Sequence, residues 1–434
     1  MHTSAPQRLF YGWRVVATCF VVATFSWGLG LYGVSVYLHA LTVERGWSVS
    51  AVSAAITSFY LCSALLQAVI GTLIHRYGPR PVIASGAVVL ALSVMLVGFV
   101  RDYWQLYFVF LMMGVGWASL SVTAMSATVA PWFERRQGQS ITIAMMGASL
   151  GAIAVAPLLL AGVTRSGLAH AGLFAGTVLL LIVLPISLLV LRHRRPQALG
   201  LAPDGVAAAA SGGASTSAMP MWTRASAARS WAWRTVTIGF ALAFMVQIGV
   251  ITHHVKLLDA VLGAAGAGWV VSATGLAALC GRLVLARVVD RVDGRGLAAG
   301  VLAGQVLALL AMALWPAAPV LIAASIGYGL GIGVITTMGP VIVRREFGAA
   351  SFAVVYGLAA SLLQLISASG PALFGTLRDA FGSYQPALAL AALIDVLALV
   401  VLLAGRAGGP SSVKTTLKTP AARGASLASR SSPR

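Results

Sequence analysis

Acidic side chains are scarce in this chain. Ten Asp and Glu stand against 29 Lys and Arg, and the four types together make up only 9% of 434 residues. A soluble globular chain carries about a quarter charged residues, so water is not the solvent for most of this one. The basic excess is no nucleic-acid footprint, because the Lys and Arg are scattered through short connectors and a tail rather than massed beside aromatic residues. No nucleic-acid partner is expected. Cysteine is also rare: Cys19, Cys62 and Cys280 all fall inside apolar blocks, where a thiol is a small buried hydrophobe. They imply no disulfide or metal framework. The sequence has no G-x-x-x-x-G-K-S/T phosphate loop, no H-E-x-x-H and no evident intramembrane Ser-His-Asp set. That excludes the usual ATP-driven pump and hydrolase chemistries. The chain is not read as an enzyme, and no cofactor is expected.

What is abundant is apolar sequence, 59% of the chain. It comes in blocks of about twenty residues, the bilayer span of a helix. Six blocks lie near residues 14–39, 50–74, 82–100, 104–130, 138–162 and 170–191. From Arg192 the chain turns to RHRRPQALGLAPDG and an Ala, Ser and Gly tract with too little bulky apolar content to form a core. Six more blocks follow near 235–258, 266–287, 297–315, 318–343, 352–376 and 386–405. The expected class is an all-α membrane protein of twelve transmembrane helices in two six-helix bundles, 1–192 and 235–405. A cytoplasmic loop, 193–234, joins them, and a basic cytoplasmic tail, 406–434, follows.

Orientation follows from the connectors. With the N-terminus in the cytoplasm, 23 of the 29 Lys and Arg fall on that side; Arg45, Arg101, Arg165, Lys256 and Arg378 fall outside, and Arg282 lies within a span. Both termini are expected in the cytoplasm. The first apolar block is of full membrane length with no convincing small-residue cleavage site, so it reads as a retained helix.

The halves repeat each other at an offset of 215 residues. GTLIHRYGPR from Gly71 to Arg80 matches ARVVDRVDGR from Ala286 to Arg295, so that Arg76 and Arg80 recur as Arg291 and Arg295. Gly114 and Gly116 fall on Gly329 and Gly331, and His39 falls on His254. Several coincidences at one offset indicate duplicated halves with a binding site between them.

GTLIHRYGPR resembles the major facilitator signature between helices 2 and 3, usually G-x-x-x-D-R-x-G-R-R/K, and ARVVDRVDGR resembles its weaker second copy. FYGWRVV opening helix 1, ERGWS after it, APWFERRQGQS entering helix 5, GLAPDG in the central loop and GPALFGTLRDAFGSY closing helix 11 resemble bacterial members related to monocarboxylate transporters. The resemblance covers nearly the whole chain. It implies a secondary transporter in a bacterial inner membrane that moves a small organic anion, a monocarboxylate among the candidates, by alternating access with proton symport, and that works as a monomer. Two departures stand out. His75 replaces the acid of the first signature, whereas Asp290 keeps it in the second copy. Animal monocarboxylate transporters carry an Asp four residues before a helix 8 Arg, and here those positions are Ala278 and Arg282. Proton coupling at that aspartate does not carry over.

Arg282 leads the candidate residues. A guanidinium stays charged and is costly at membrane depth unless paired or hydrated, and its fork matches a carboxylate. The resemblance also implies an anion-binding Arg here. The competing reading is a loop anchor with Arg287 and Asp290, since Arg282 lies about 7 Å from the estimated midplane toward the cytoplasm.

His253 and His254 lie near the outer end of helix 7. The resemblance favours His253, whereas helical phase puts His254 on the face of Gln247. Depth counting sets both histidines roughly 15–20 Å from Arg282, too far for one small substrate, so the pair suits an outer gate or a proton station. Proton-coupling candidates are therefore His254 and Asp395, the latter near the middle of helix 12 where a carboxylate is expensive; a neutral Asp395 that only packs is the alternative. Tyr328, flanked by Gly327 and Gly329, occupies a stretch where the resemblance implies a substrate-facing aromatic. Tyr32 and Trp117 are wall candidates, with ordinary packing the competing reading. Arg76, Arg80, Glu134, Arg135 and Arg136 in one half, with Asp290, Arg291, Arg344, Arg345 and Glu346 in the other, form a candidate cytoplasmic gate or serve topology alone.

Two other functions fit the same composition. Drug or cation efflux would favour an anionic pocket residue, and only Asp395 offers one; helix 5 has GASLGAIAVAP in place of a G-P-x-x-G-G antiporter motif. A non-transporting membrane sensor would use the tail, which shows no signalling motif.

Overall fold

The computed structural model describes residues 10–205, 222–348 and 351–406. The expected tail beyond Arg406 and much of the central loop lie outside them, as does the side chain of Asp290. Among the described residues the regular structure is entirely helical. Helix is one of two ways a chain can satisfy its backbone in lipid.

Among the described residues, ten helical runs are long and apolar enough to cross a bilayer. Two of them, Gln137–Val190 with 54 residues and Trp231–Val288 with 58, are more than twice the length that about 30 Å of hydrocarbon requires. Each reverses at a glycine with positive φ: Gly167 at 78° and Gly263 at 69°. That backbone conformation costs glycine least. The run therefore becomes two spans in each case, and the described residues hold twelve.

The spans are α1 (Tyr11–Glu44), α2 (Val49–Tyr77), α3 (Pro79–Phe99), α4 (Tyr103–Trp132), α5 (137–166), α6 (168–190), α7 (231–262), α8 (264–288), α9 (Gly294–Leu314), α10 (Ala318–Phe347), α11 (Val354–Phe381) and α12 (Gln385–Ala404). Helix α7 begins at Trp231, slightly before the expected boundary at 235.

Small residues set the spacing within each half, as they do where lipid supplies no hydrophobic drive between helices. On α6, Gly172 and Gly176 lie against Val94, Ala91 and Met95 of α3. On α10, Gly329 and Gly333 lie against Thr274 and Ala278 of α8. Between α1 and α5 the approach is closer still, at Gly28 and Gly151, where an added Cβ on Gly151 would come within 2.5 Å of the Thr24 carbonyl. Both helices are locally wound as π-helix there, over Trp27–Leu31 and Gly151–Val155.

The halves meet along three seams, α1 with α7, α2 with α11, and α5 with α8. All three are made in the middle of the bundle and toward the face opposite the arginine-rich connectors. This opposite end is termed the far face, and the connector end the basic face. Toward the basic face, the ends of α4 and α10 that carry the predicted gate charges pack within their own halves.

Candidate functional site

A cavity of about 20 Å³ lies at the centre of the bundle, lined by Tyr32 and Ser35 of α1, Val250, Ile251 and His254 of α7, Val271 and Thr274 of α8, and Tyr328 and Ile332 of α10. This volume holds about one water, so a substrate enters only when the halves part further. His254 Nε2 lies 3.1 Å from the Ser325 hydroxyl of α10. Tyr32 follows the π-helical turn of α1, and its backbone carbonyl accepts from the Ser35 hydroxyl at 2.7 Å. Tyr328 is 2% exposed, and its hydroxyl has no hydrogen-bond partner among the described residues.

Arg282 lies on the basic-face side of this cavity. Its Nη1 donates to the Ser149 hydroxyl of α5 at 2.9 Å and its Nη2 to the Thr336 hydroxyl of α10 at 3.3 Å. Those bonds place the guanidinium at the seam between the halves, not in the loop that follows α8. Arg287, its expected companion in a loop anchor, instead donates to the Leu283 carbonyl of its own helix. The Tyr32 hydroxyl and Arg282 interact electrostatically, and Tyr32 also lines the cavity that His254 borders.

His253 does not line the cavity. It sits in the far-face seam, with Nε2 3.0 Å from the Pro371 carbonyl of α11 and 3.3 Å from the Ser53 hydroxyl of α2, and Nδ1 3.0 Å from the Tyr384 hydroxyl. Its ring stacks on Phe374 at 5.7 Å. Around it the seam is closed by further cross-half contacts. The Ser50 amide donates to Asp379 at 2.7 Å, the Ala372 amide to the Thr57 hydroxyl at 3.1 Å, and His39 Nδ1 lies 3.8 Å from Asp259. Composition gave no sign of Ser53, Thr57, Ser149 or Thr336, because lone hydroxyl residues are common in spans and carry no spacing signature.

Trp117 does not line this cavity; it packs among aromatic rings, 4.7 Å from Trp27 and 6.1 Å from Phe59. Gln247 is buried, and its Oε1 lacks a partner among the described residues. Asp395 is 1% exposed, and neither of its oxygens has a partner among them.

The basic-face charges make contacts within one half. Glu346 accepts from Arg295 on both oxygens, at 2.6 and 2.8 Å, and Arg295 also donates to the carbonyls of Ala232 and Leu402 and to Thr235. Arg345 donates to the Val289 carbonyl at 2.8 Å. The backbone amides of Glu134 and Arg135 donate to Asp204 of the central loop at 3.0 and 2.8 Å, with the Arg136 charge alongside. Arg76 lies over the Tyr77 ring, and Arg80, Arg291 and Arg344 are exposed. Sequence reading counted Arg295 only as a repeat position. Its sole signal was the second signature copy, since burial of a connector arginine leaves no mark in composition.

Comparison with known proteins decides the family. A Major Facilitator Superfamily profile matches residues 18–265, more than half of the chain. The chain belongs to the Major Facilitator Superfamily. Among curated relatives of this facilitator, mouse Monocarboxylate transporter 11 is 28% identical over 401 residues, covering 86% of this chain and 83% of that protein. Bovine Monocarboxylate transporter 13 is 25% identical over 396 residues, covering 88% and 86%. Among solved structures, the nucleoside transporter NupG superposes with a TM-score of 0.69 at 14% identity over 90% of this chain and 99% of the other. A bacterial homologue of the human lysosomal transporter Spinster, inward-facing and occupied, gives 0.67 at 15% identity over 95% and 99%. These likenesses establish the major facilitator fold and a membrane transporter.

Proposed function

We propose that this facilitator carries a small organic anion of the monocarboxylate class across a bacterial inner membrane by alternating access, together with a proton. The observation that carries the reading is the pairing of Arg282. A permanent cation at the seam is bonded to two neutral hydroxyls, one from each half, and neither offsets its charge. Such a group is strongly favoured by an anion that replaces one of those bonds. A planar carboxylate fits the guanidinium fork through two parallel bonds.

The remaining wall suits a small, partly apolar acid. Val250, Ile251, Val271 and Ile332 supply apolar contact, and Tyr32, Thr274 and His254 supply polar atoms. Monocarboxylate transporters 11 and 13 among the curated relatives support the same substrate class. With the basic face in the cytoplasm, as the distribution of Lys and Arg favours, the closed far seam makes this an inward-facing arrangement. The gate charges of α4 and α10 then engage when the basic face closes.

The test is counterflow. Proteoliposomes preloaded with one unlabelled short-chain acid are offered the labelled acid, across a panel of mono- and dicarboxylates with a cationic dye as control. Exchange of a monocarboxylate, weaker in Arg282→Ala, is expected. Exchange of the cation alone would overturn the anion reading.

A further inference from the structure

Behind the Tyr328 wall of the cavity lies a second polar group of residues, at the middle depth of the C-terminal half. Asp395 on α12 is 1% exposed, and neither carboxylate oxygen has a partner among the described residues. Gln305 on α9 is 3% exposed and reaches only the Tyr328 carbonyl, at 3.5 Å. A Cβ on Gly331 would stand 2.7 Å from the Gln305 amide carbon, so this glycine makes the room that the amide occupies between α9 and α10. Helix α12 packs on α9 and α7, so Asp395 is turned into the bundle rather than toward lipid.

We infer that Asp395 binds and releases the transported proton, with Tyr328 as the link between it and the substrate cavity. The inference rests on the anion-symport reading above and adds the site of the coupling ion. An ionised carboxylate in an apolar interior with no donor to either oxygen is far costlier than the neutral acid. Asp395 therefore holds a proton in this conformation. Asp395 is the group whose field acts on the Tyr328 hydroxyl. That ring borders the cavity, and its own hydroxyl lacks a partner. Losing the proton needs donors to reach the carboxylate, and repacking of α10 against α9 as the halves rock is the motion that brings them. The proton leaves Asp395 for solvent on the open side while the anion leaves Arg282, so the two move together and the cycle stays electrically neutral.

Most other charged and titratable groups on the helices around Asp395 stand at their ends. Arg295 on α9 is tied to Glu346. His253, Lys256 and Asp259 lie toward the far end of α7, and Arg378 and Asp379 at the far end of α11. Arg344, Arg345 and Glu346 close α10 at the basic face. Two titratable groups line the central cavity: His254, which meets the Ser325 hydroxyl, and Tyr328, the one on which Asp395 acts.

The experiment uses the full-length protein in proteoliposomes, comparing wild type with Asp395→Asn, which copies the neutral acid but cannot release a proton. Exchange at equal pH on both sides needs no net proton movement and persists in the variant. Accumulation driven by an inward proton gradient falls at least tenfold, and proton uptake on adding substrate, followed with a pH dye, disappears. Undiminished gradient-driven accumulation by Asp395→Asn would overturn the inference. An infrared difference spectrum of wild type against the variant at neutral pH decides the same point without transport. A protonated-carboxyl band assigned to Asp395 is expected, and a carboxylate pair in its place would refute the proposal. Absence of acid exchange by wild type would fail the anion reading alone, and the infrared result would still stand.

Discussion

Arg282 of α8 donates its 2.9 Å hydrogen bond to Ser149 of α5, a residue of the opposite half. On the proposed reading, the same guanidinium is both the anion-seeking group and a tie across the seam that must open. Substrate and the seam tie then compete for the same donors, which gives a ligand a differential effect on the two states.

The first prediction follows. Arg282→Ala should weaken binding of the transported acid by about 2 kcal/mol, roughly thirtyfold, the scale of a charged hydrogen bond. Arg282→Lys keeps the charge but loses the planar fork and should weaken it by about 1 kcal/mol. Ligand affinity on purified, monodisperse variants measures both. Wild-type affinity in well-folded Arg282→Ala would refute the clamp.

His253 ties α2, α11 and Tyr384 together on the far side. His253→Ala should favour the state open to the far face, by roughly 1–2 kcal/mol for lost buried hydrogen bonds. In a cysteine-free background, Ser35→Cys in the cavity should then react faster with an impermeant maleimide added from that side. Unchanged labelling would mean the histidine only packs.

Arg295 is 4% exposed and makes its ion pair where the ends of α7, α9, α10 and α12 converge. Glu346→Gln leaves that cation without its counter-charge and should cost about 3 kcal/mol, the range for breaking a buried pair. A fall in the thermal midpoint of the detergent-solubilised protein is expected. Arg344→Gln, exposed on the same helix, should leave it nearly unchanged.

Partial desolvation pushes the Asp204 carboxyl up, but the backbone amides of Arg135, Glu134 and Arg136 outweigh it and hold the group below the usual carboxylate range. A depressed folded value means the loop contact is fully present above about pH 4, the unfolded value, and is lost as pH falls through the lower folded one. A spin label at Leu201 should be ordered at neutral pH and become mobile on acidification below that range. Asp204 has φ of 60°, a region Asn tolerates. Asp204→Asn thus removes the charge without straining the backbone, and its label should be mobile at every pH.

The spans were legible because burial in lipid writes itself into composition. The block near 82–100 is α3, Pro79–Phe99, and that near 318–343 begins α10, Ala318–Phe347. Arg282 was legible because a cation within a span is expensive wherever its partners lie. Those partners were not, since Ser149 of α5 and Thr336 of α10 meet Arg282 only through tertiary packing, 133 and 54 residues away in sequence, and are ordinary in type. Placing His253 and His254 in different environments, one in the far seam and one on the cavity, needed the packing of α11 and α10 against α7. The gate charges were read from sequence as partners across the halves. Those whose contacts are resolved, such as Glu346, bond within a half, as expected of a basic face that is parted.

The π-helical stretch Gly151–Val155 has a consequence for how this protein tolerates change in its length. A π turn accommodates one residue more than an α turn, and this one begins two positions after Ser149. Deleting a single residue inside it would let α5 close into regular helix, a cheap repair for the backbone. Because the wide turn absorbs the surplus residue, the segments on either side would keep nearly the same facing. Ser149 would still reach Arg282, while the Ile153 carbonyl, which now accepts from Ser272 at 2.9 Å, would be drawn back to a donor of its own helix. A frame-preserving loss of one codon here would spare the helix and its tie through Ser149, and give up the bond from Ser272.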